Sequence, residues 1–124
     1  MVADRTARGD LGADSVMREL RRRADDDYAS PPAQHERGRH QVDLPDLGLR
    51  VSLTRNRYPD RPDGVDQYAV TISRLALDTP PEEGQTRRAL SAAFGEEGAS
   101  LARERPSAGL VRMFRVPAGE VTGP

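Results

Sequence analysis

The chain has 124 residues, a formal net charge of −1 from 19 basic and 20 acidic residues, and no cysteine. This length suits one modest domain, and the lack of cysteine excludes disulfides, cysteine-ligated zinc and thiol catalysis. Every basic residue is an arginine. Acidic residues are interleaved among the arginines, so we expect no large positive field of the kind that general nucleic-acid binding needs.

The beginning of the chain gives no sign of export or of a membrane anchor. The first 14 residues, "MVADRTARGDLGAD", are polar and lack the apolar run of a signal peptide. No stretch approaches the roughly 18 apolar residues of a membrane span. We therefore expect a soluble, cytoplasmic protein of prokaryotic type that has no membrane partner.

Residues 1–40 are predicted to form an arm outside the main domain, with its first ten residues frayed. The arm's apolar residues recur at helical spacing, namely Val16, Met17, Leu20 and Ala24. They predict a short helix over about 14–24, with Asp14 as its N-cap. The acidic residues 25–27 are unfavourable at the negative end of a helix dipole, so we expect the helix to end near Ala24. A partner could dock on the arginines of this helix, which are Arg18, Arg21, Arg22 and Arg23.

The segment "HERGRH" contains both histidines of the chain, His35 and His40. A zinc-protease helix needs two histidines four residues apart, and here they are five apart, about 140° around a helix. The preceding prolines, Pro31 and Pro32, also disfavour a helix. Since no third histidine and no cysteine exist, we expect no metal and no cofactor. The segment is predicted to be a polar linker with a domain boundary near residue 40.

Residues 41–117 carry the patterns of a folded α+β domain. "QVDLP" predicts a short strand with Val42 and Leu44 turned inward. "LGLRVSLTR" alternates apolar and polar residues, as does the start of "DQYAVTISRLAL", and both patterns are typical of half-buried strands. The turn residues between these two strands predict an antiparallel hairpin with a long tip.

A helix over 79–94 follows the hairpin. Thr79 is predicted to be its N-cap, Pro80 its first residue, and Glu82 the other half of a capping box. Its apolar stripe consists of Ala89, Leu90, Ala93 and Phe94, and Gly95 is predicted to end it. Farther on, "LVRMFRV" predicts a strand. Residues 99–105 are compatible with either a strand or a helix. Because the turn residues "PSAG" separate them from "LVRMFRV", we interpret the two segments as a second hairpin. Residues 118–124 are predicted to be a disordered tail.

The predicted fold is therefore α+β. It has a small, mostly antiparallel sheet of four or five strands, one helix packed on a face of the sheet, and a separate N-terminal helix that docks at the edge or on a partner. The chain has only five aromatic residues. Such a thin core, together with open strand edges, is compatible with either a monomer or a homodimer.

The tip of the first hairpin is the candidate binding site of the chain. Its guanidinium groups and aromatic ring could contact phosphates and a base, and the residues are Arg55, Arg57, Tyr58 and Arg61. The acidic residues among them would repel the same phosphates, so a neutral solvated turn is the alternative. These are Asp60, Asp63 and Asp66.

Nothing in the sequence assembles a catalytic site. Both histidines lie in the linker, no serine sits in a glycine-flanked elbow, and no glycine-rich phosphate loop is present. We therefore predict a small non-catalytic interaction or accessory protein that acts through protein–protein contacts. The alternative is a nucleic-acid-associated module that uses the arginine-rich hairpin tip.

Overall fold

The computed structural model describes residues 2–29, 40–57, 66–76, 78–107 and 109–118, and for residues 2–11, 29 and 57 it describes the backbone alone. In chain order the elements are α1 (Val2–Ala29), β1 (His40–Leu44), β2 (Leu49–Arg57), β3 (Asp66–Arg74), α2 (Glu83–Leu101), β4 (Arg103–Arg105) and β5 (Arg112–Pro117). Two helices and one sheet confirm the predicted α+β class.

The five strands form one antiparallel sheet in the order β1-β2-β3-β5-β4. The predicted hairpin of β2 and β3 is confirmed, with Leu49 opposite Arg74 at one end and Arg57 opposite Asp66 at the other. Helix α2 carries the chain from β3 to the far edge, where β4 lies. Strand β5 then returns between β4 and β3, which places the last strand in the interior of the sheet.

Both helices cover the same face of this sheet, and the hydrophobic core lies between them and the strands. The alternation read from the sequence is confirmed, because every second residue of β2 and β3 points into this core. These residues are Leu49, Val51, Leu53, Tyr68, Val70 and Ile72, each at most 2 % exposed. Strands β1 and β5 add Leu44, Phe114 and Val116, and the helices add mainly Met17, Leu20, Leu90 and Phe94. We call this the covered face.

Helix α1 is longer than the predicted 14–24 and continues past the acidic residues 25–27. Each of those acids has a partner that offsets the unfavourable dipole. Asp25 accepts hydrogen bonds from Tyr68 and Arg55, Asp26 pairs with Arg22, and Asp27 pairs with His40. Tertiary contacts therefore extend the helix beyond the point where local preference ends it.

The predicted N-caps of both helices are wrong. Asp14 lies inside α1, and its carboxylate pairs with Arg88 of α2 at 2.9 Å. Helix α2 begins at Glu83 with Glu82 as its N-cap, three residues later than the predicted Thr79. The reason is the pair Pro80-Pro81, since a residue that precedes a proline is disfavoured in helical conformation. The Thr79 hydroxyl instead accepts a hydrogen bond from Arg74 at 2.7 Å.

Gly95 interrupts α2 as predicted, with φ of 76°, but the helix resumes and runs to Leu101. The ambiguous segment 99–105 is thus helical at its start and a three-residue strand at its end. Ala118, assigned from the sequence to the tail, is buried, and its N–H donates to the Asp66 carbonyl at 3.0 Å. Residues 30–39 and 119–124 lie outside the described residues, so the division into arm, domain and tail stays a prediction.

Candidate functional site

Arg55, the first of the predicted hairpin-tip residues, is held inside the molecule. Its side chain is 22 % exposed and lies on the covered face. The guanidinium donates to both oxygens of Asp66, at 3.0 and 2.6 Å, and to Asp25 at 3.1 Å. It also lies 4.2 Å from the ring centroid of Tyr28. The hydrogen bond with Asp66 raises the pKa of Arg55.

Of the four predicted tip residues, only Arg55 has a described side chain. Tyr58 and Arg61 lie outside the described residues, and of Arg57 only the backbone is described, paired with Asp66 across the hairpin. A phosphate-binding role for this group therefore stays a prediction. Arg55 could take part in it only by giving up its bidentate contact with Asp66.

Tyr68 is the centre of a polar cluster that joins α1, β3 and α2. Its side chain is 2 % exposed, and its hydroxyl donates to Asp25 at 2.6 Å while accepting from Arg21 at 3.3 Å. Arg21 also donates to the Ala93 carbonyl at 3.2 Å and lies over the rings of Tyr68 and Phe94. Burial, followed by the hydrogen bond to Asp25, raises the pKa of Tyr68. We interpret this cluster as the clamp that fixes both helices to the sheet.

The other arginines of the predicted docking helix make contacts within α1. Arg22 bridges Glu19 and Asp26, Arg23 lies 3.5 Å from Glu19, and Arg18 donates to the Asp14 carbonyl. The bond from Arg22 lowers the pKa of Glu19 to about 2. Exposed pairs of this kind contribute little to stability. Only Arg21 of the four reaches the core, and the docking role of the set stays a prediction.

The structure describes one of the two histidines of the predicted linker, His40. His35 lies outside the described residues. His40 opens β1, with Nε2 at 2.5 Å from Oδ2 of Asp27. Among residues that the structure describes, no group of three or more histidine, aspartate or glutamate side chains is placed to hold a metal ion.

A cleft of about 600 Å³ lies where the loop before α2 meets the β4–β5 hairpin. Its walls include Pro80, Pro81 and Arg112. The guanidinium of Arg112 forms a bidentate pair with Glu104, at 2.9 and 2.6 Å, which lowers the pKa of Glu104 and raises that of Arg112. The pair engages two of the three charged side chains that line this cleft, the third being Arg105, and it ties β4 to β5.

The second face of the sheet carries no described helix, and we call it the bare face. Its side chains alternate with those of the core. In the register of the sheet the described ones are Gln41, Asp43, Arg50, Ser52, Thr54, Asn56, Gln67, Ala69, Thr71, Ser73, Met113, Arg115, Pro117, Arg103 and Arg105, of which Ser52 is buried. Short polar side chains occupy its centre. The arginines lie toward its two edges.

Charge on the bare face is unevenly distributed. Near β1, Asp43 and Arg50 are register partners and form a 2.8 Å ion pair, which lowers the pKa of Asp43. Near β4, Arg103 lies opposite Arg115, and Arg105 lies opposite Met113. The described acidic residues of β3 and β4, Asp66 and Glu104, lie on the other face.

The sequence contained the signal for Arg115, but the prediction did not use it. "LVRMFRV" was identified as a strand, so alternation already separates Phe114 and Val116 from Met113 and Arg115. Arg103 and Arg105 fall in the segment 99–105, which was predicted to be the first arm of a second hairpin but without a register to the second arm. Recognition of the bare face also required the position of α1, which only the tertiary structure gives.

Comparison with known proteins yields no relative. No family model, no curated protein and no solved structure matches this chain. No helix in the described ranges is long and apolar enough to cross a membrane. The geometry of the chain is therefore the basis for a functional proposal.

Proposed function

We propose that this chain is a non-catalytic interaction protein that binds a partner protein through the bare face of its sheet. The observation that carries the proposal is the one-sided packing of the fold. Both helices are fixed to one face of a five-stranded sheet, and no described element packs on the other.

The described polar contacts of the bare face, such as Arg50 with Asp43 and Asn56 with Thr54, lie within the sheet, whereas those of the covered face join the sheet to the helices. On the covered face, Tyr68, Arg21 and Arg55 use their polar atoms in contacts that join helices and strands. On the bare face, Thr71 and Ser73 are partly accessible, and the neighbouring strand presents Met113, also partly accessible. Small polar side chains with one flexible apolar side chain suit a surface that accommodates another polypeptide.

The nucleic-acid alternative draws no support from the described residues. It relies on Arg55, whose guanidinium is bound by Asp66 and Asp25 and lies against Tyr28. Sequence-tolerant binding of single strands uses aromatic side chains on which bases stack. The aromatic residues with described side chains, Tyr28, Tyr68, Phe94 and Phe114, contribute to the covered side.

Site-specific photo-crosslinking in the full-length protein tests the proposal. A benzophenone amino acid at Thr71 places the probe at the centre of the bare face, and the same probe at Glu97 places it on the exposed side of α2. We expect a discrete protein adduct in cells from the Thr71 probe and not from the Glu97 probe. The captured protein is then purified and mixed with the purified chain, and a complex must form. The same adduct from both positions, or none from Thr71, would refute the proposal.

A further inference from the structure

The two outer strands of the sheet, β1 and β4, differ in how well they are protected against pairing with another strand. Strand β4 has three residues, and all three are charged and exposed. Short length and charge are features that protect the edge of a sheet. Strand β1 has five residues, "HQVDL", and contains neither an arginine nor a proline. Because no described strand pairs with its outer side, β1 is the open edge of the sheet.

The register of the sheet identifies the backbone groups that lie on this open edge. The Leu75 N–H donates to the Gly48 carbonyl, so Gly48 bonds towards β3. Successive residues of an interior antiparallel strand bond alternately to its two neighbours, so the next residue, Leu49, bonds towards β1. The register partners of Leu49 and of every second residue after it therefore use their groups for β2. The N–H and C=O groups of Gln41 and Asp43 are left pointing away from the sheet.

We propose that β1 pairs with β1 of a second copy of this chain, antiparallel about a twofold axis at Val42, so that the two sheets form one sheet of ten strands. This register places Gln41 opposite Asp43 of the second copy, and their outward groups form four hydrogen bonds. A pairing centred on Asp43 would set two carboxylates opposite each other and would use Pro45, which has no N–H. A pairing centred on Gln41 forms two hydrogen bonds between described residues.

The helical layer extends the contact beyond the two strands. Helix α1 lies over β1 and β2. With strands about 4.8 Å apart, the axis of α1 is about 5 Å from the proposed twofold axis. The two copies of α1 would therefore lie about 10 Å apart, which is within the range at which helices pack. Helix contact thus adds area to an interface that would be small if the strands alone formed it.

A dimer of this kind leaves the bare face accessible. The twofold axis is perpendicular to the sheet, so the bare faces of both copies lie on the same side of the ten-stranded sheet. One dimer would present two copies of the proposed partner surface, which favours binding to a partner that has two sites. The inference is independent of the proposed function, because the edge of β1 and the bare face are different surfaces.

Sedimentation equilibrium of the full-length chain, from about 1 to 200 µM, tests the inference. We expect a monomer–dimer equilibrium with a Kd of about 1–50 µM, because the interface is at the small end of specific complexes. Gln41→Pro removes an outward N–H and leaves the hydrogen bonds between β1 and β2 in place, since proline is tolerated where an edge N–H faces outward. Gln41→Ala changes the same side chain and keeps the N–H.

The two variants at position 41 form a matched pair. We expect Gln41→Pro to weaken dimerisation by about tenfold or more, and Gln41→Ala to weaken it by less than about threefold. Similar urea midpoints of the two variants at about 1 µM, where the chain is mainly monomeric, verify that β1 remains in the sheet.

A single introduced cysteine reports the register, because the chain has no cysteine of its own. In the proposed pairing the two Cα atoms at position 42 are about 4.5 Å apart, within the range of a disulfide. The two Cα atoms at position 41 are diagonal neighbours about 8 Å apart, beyond that range. We expect mild oxidation to give a covalent dimer of Val42→Cys and little of Gln41→Cys, although Gln41 is the more exposed residue.

Three outcomes would overturn the inference: a monomer at every concentration, equal dimerisation of Gln41→Pro and Gln41→Ala, or cross-linking through position 41 that equals or exceeds that through position 42. If the edge of β1 instead binds a strand of a different protein, the purified chain is monomeric and the first outcome is observed. The cross-linking experiment does not need the proline variant, so it decides the question even if Gln41→Pro fails to fold.

Discussion

Truncation of Leu20 to alanine tests whether α1 is part of the folded core or an independent arm. Leu20 is fully buried, together with Met17, against the covered face of the sheet. Val16, one residue before Met17 on the same helix, is 36 % exposed. The two positions therefore share a helix but differ in their contact with the core.

The expected loss of stability follows from the groups that are removed. Leu20→Ala deletes three carbon groups, and at about 0.8 kcal/mol each their transfer term is about 2.4 kcal/mol. The cavity that remains brings the total to about 3 kcal/mol, within the usual range for buried leucines of 2–5 kcal/mol. Val16→Ala should change the free energy of unfolding by less than about 0.5 kcal/mol, because the side chain is partly solvated and alanine favours a helix.

Urea unfolding followed by circular dichroism measures both changes. With a slope of about 2 kcal/mol per molar urea, a loss of 3 kcal/mol lowers the midpoint by roughly 1.5 M. We also expect a fragment that begins at residue 41 to unfold without a cooperative transition, since it lacks Met17, Leu20 and Ala24. A midpoint for Leu20→Ala equal to that of Val16→Ala would refute the assignment of α1 to the core. It would favour the independent arm that the sequence predicts.

Further predictions concern the clamp and the second helix. Folding raises the pKa of Tyr68, so its hydroxyl contributes fully to the free energy of unfolding below a pH of about 10, and this contribution is lost as the pH rises through the folded pKa. In that pH range the urea midpoint should fall less steeply in Tyr68→Phe than in the unmodified chain. Equal slopes in the two proteins would contradict the prediction. Gly95→Ala should cost about 1–3 kcal/mol because of its positive φ, whereas Gly84→Ala in the same helix should be neutral or stabilising. Gln85→Ala should cost about 1–2 kcal/mol, since its amide binds the Glu82 N–H and the Leu47 carbonyl. Thr79→Ala should lower the stability by less than Gln85→Ala does. If thermal melts show the larger loss for Thr79→Ala, Thr79 is the N-cap of α2 as the sequence predicts.

The strands were predictable because alternation is a local property of the sequence. Leu49, Val51 and Leu53 alternate with Arg50 and Ser52, and this pattern suits a half-buried strand whatever lies above it. The antiparallel hairpin was predictable for a similar reason, because turn residues separate two such patterns. The order of strands in the sheet could not be predicted from the sequence, because it depends on where α2 and the short strand β4 pack.

The errors at helix ends have a common physical cause. The acidic residues 25–27 end a helix when only the dipole is considered, and Tyr68, Arg55 and His40 reverse that result from distant parts of the chain. Conversely, Thr79 satisfies every local rule for an N-cap. Pro81 nevertheless prevents Pro80 from being helical, and Arg74 engages the Thr79 hydroxyl.

The candidate sites show the same division. Arg55 and Arg21 were chosen from the sequence as surface residues, and the fold turns both of them inward against aromatic rings. An arginine has an apolar stem and a charged end, so sequence position alone does not tell whether it faces water or a buried acid. The bare-face arginines were overlooked because their common location depends on the register of β4 and β5.

The sequence by itself determined the α+β class, the β2–β3 hairpin, the faces of its strands and the interruption at Gly95, because each depends on residues close together in the chain. The tertiary structure alone decided that α1 lies on the same face as α2, since its narrow apolar stripe fits any apolar surface. That choice leaves the opposite face without a helix among the described residues, and the register of β4 and β5 places Arg103, Arg105 and Arg115 on it. The proposed partner surface thus arises from long-range packing, which no local pattern encodes.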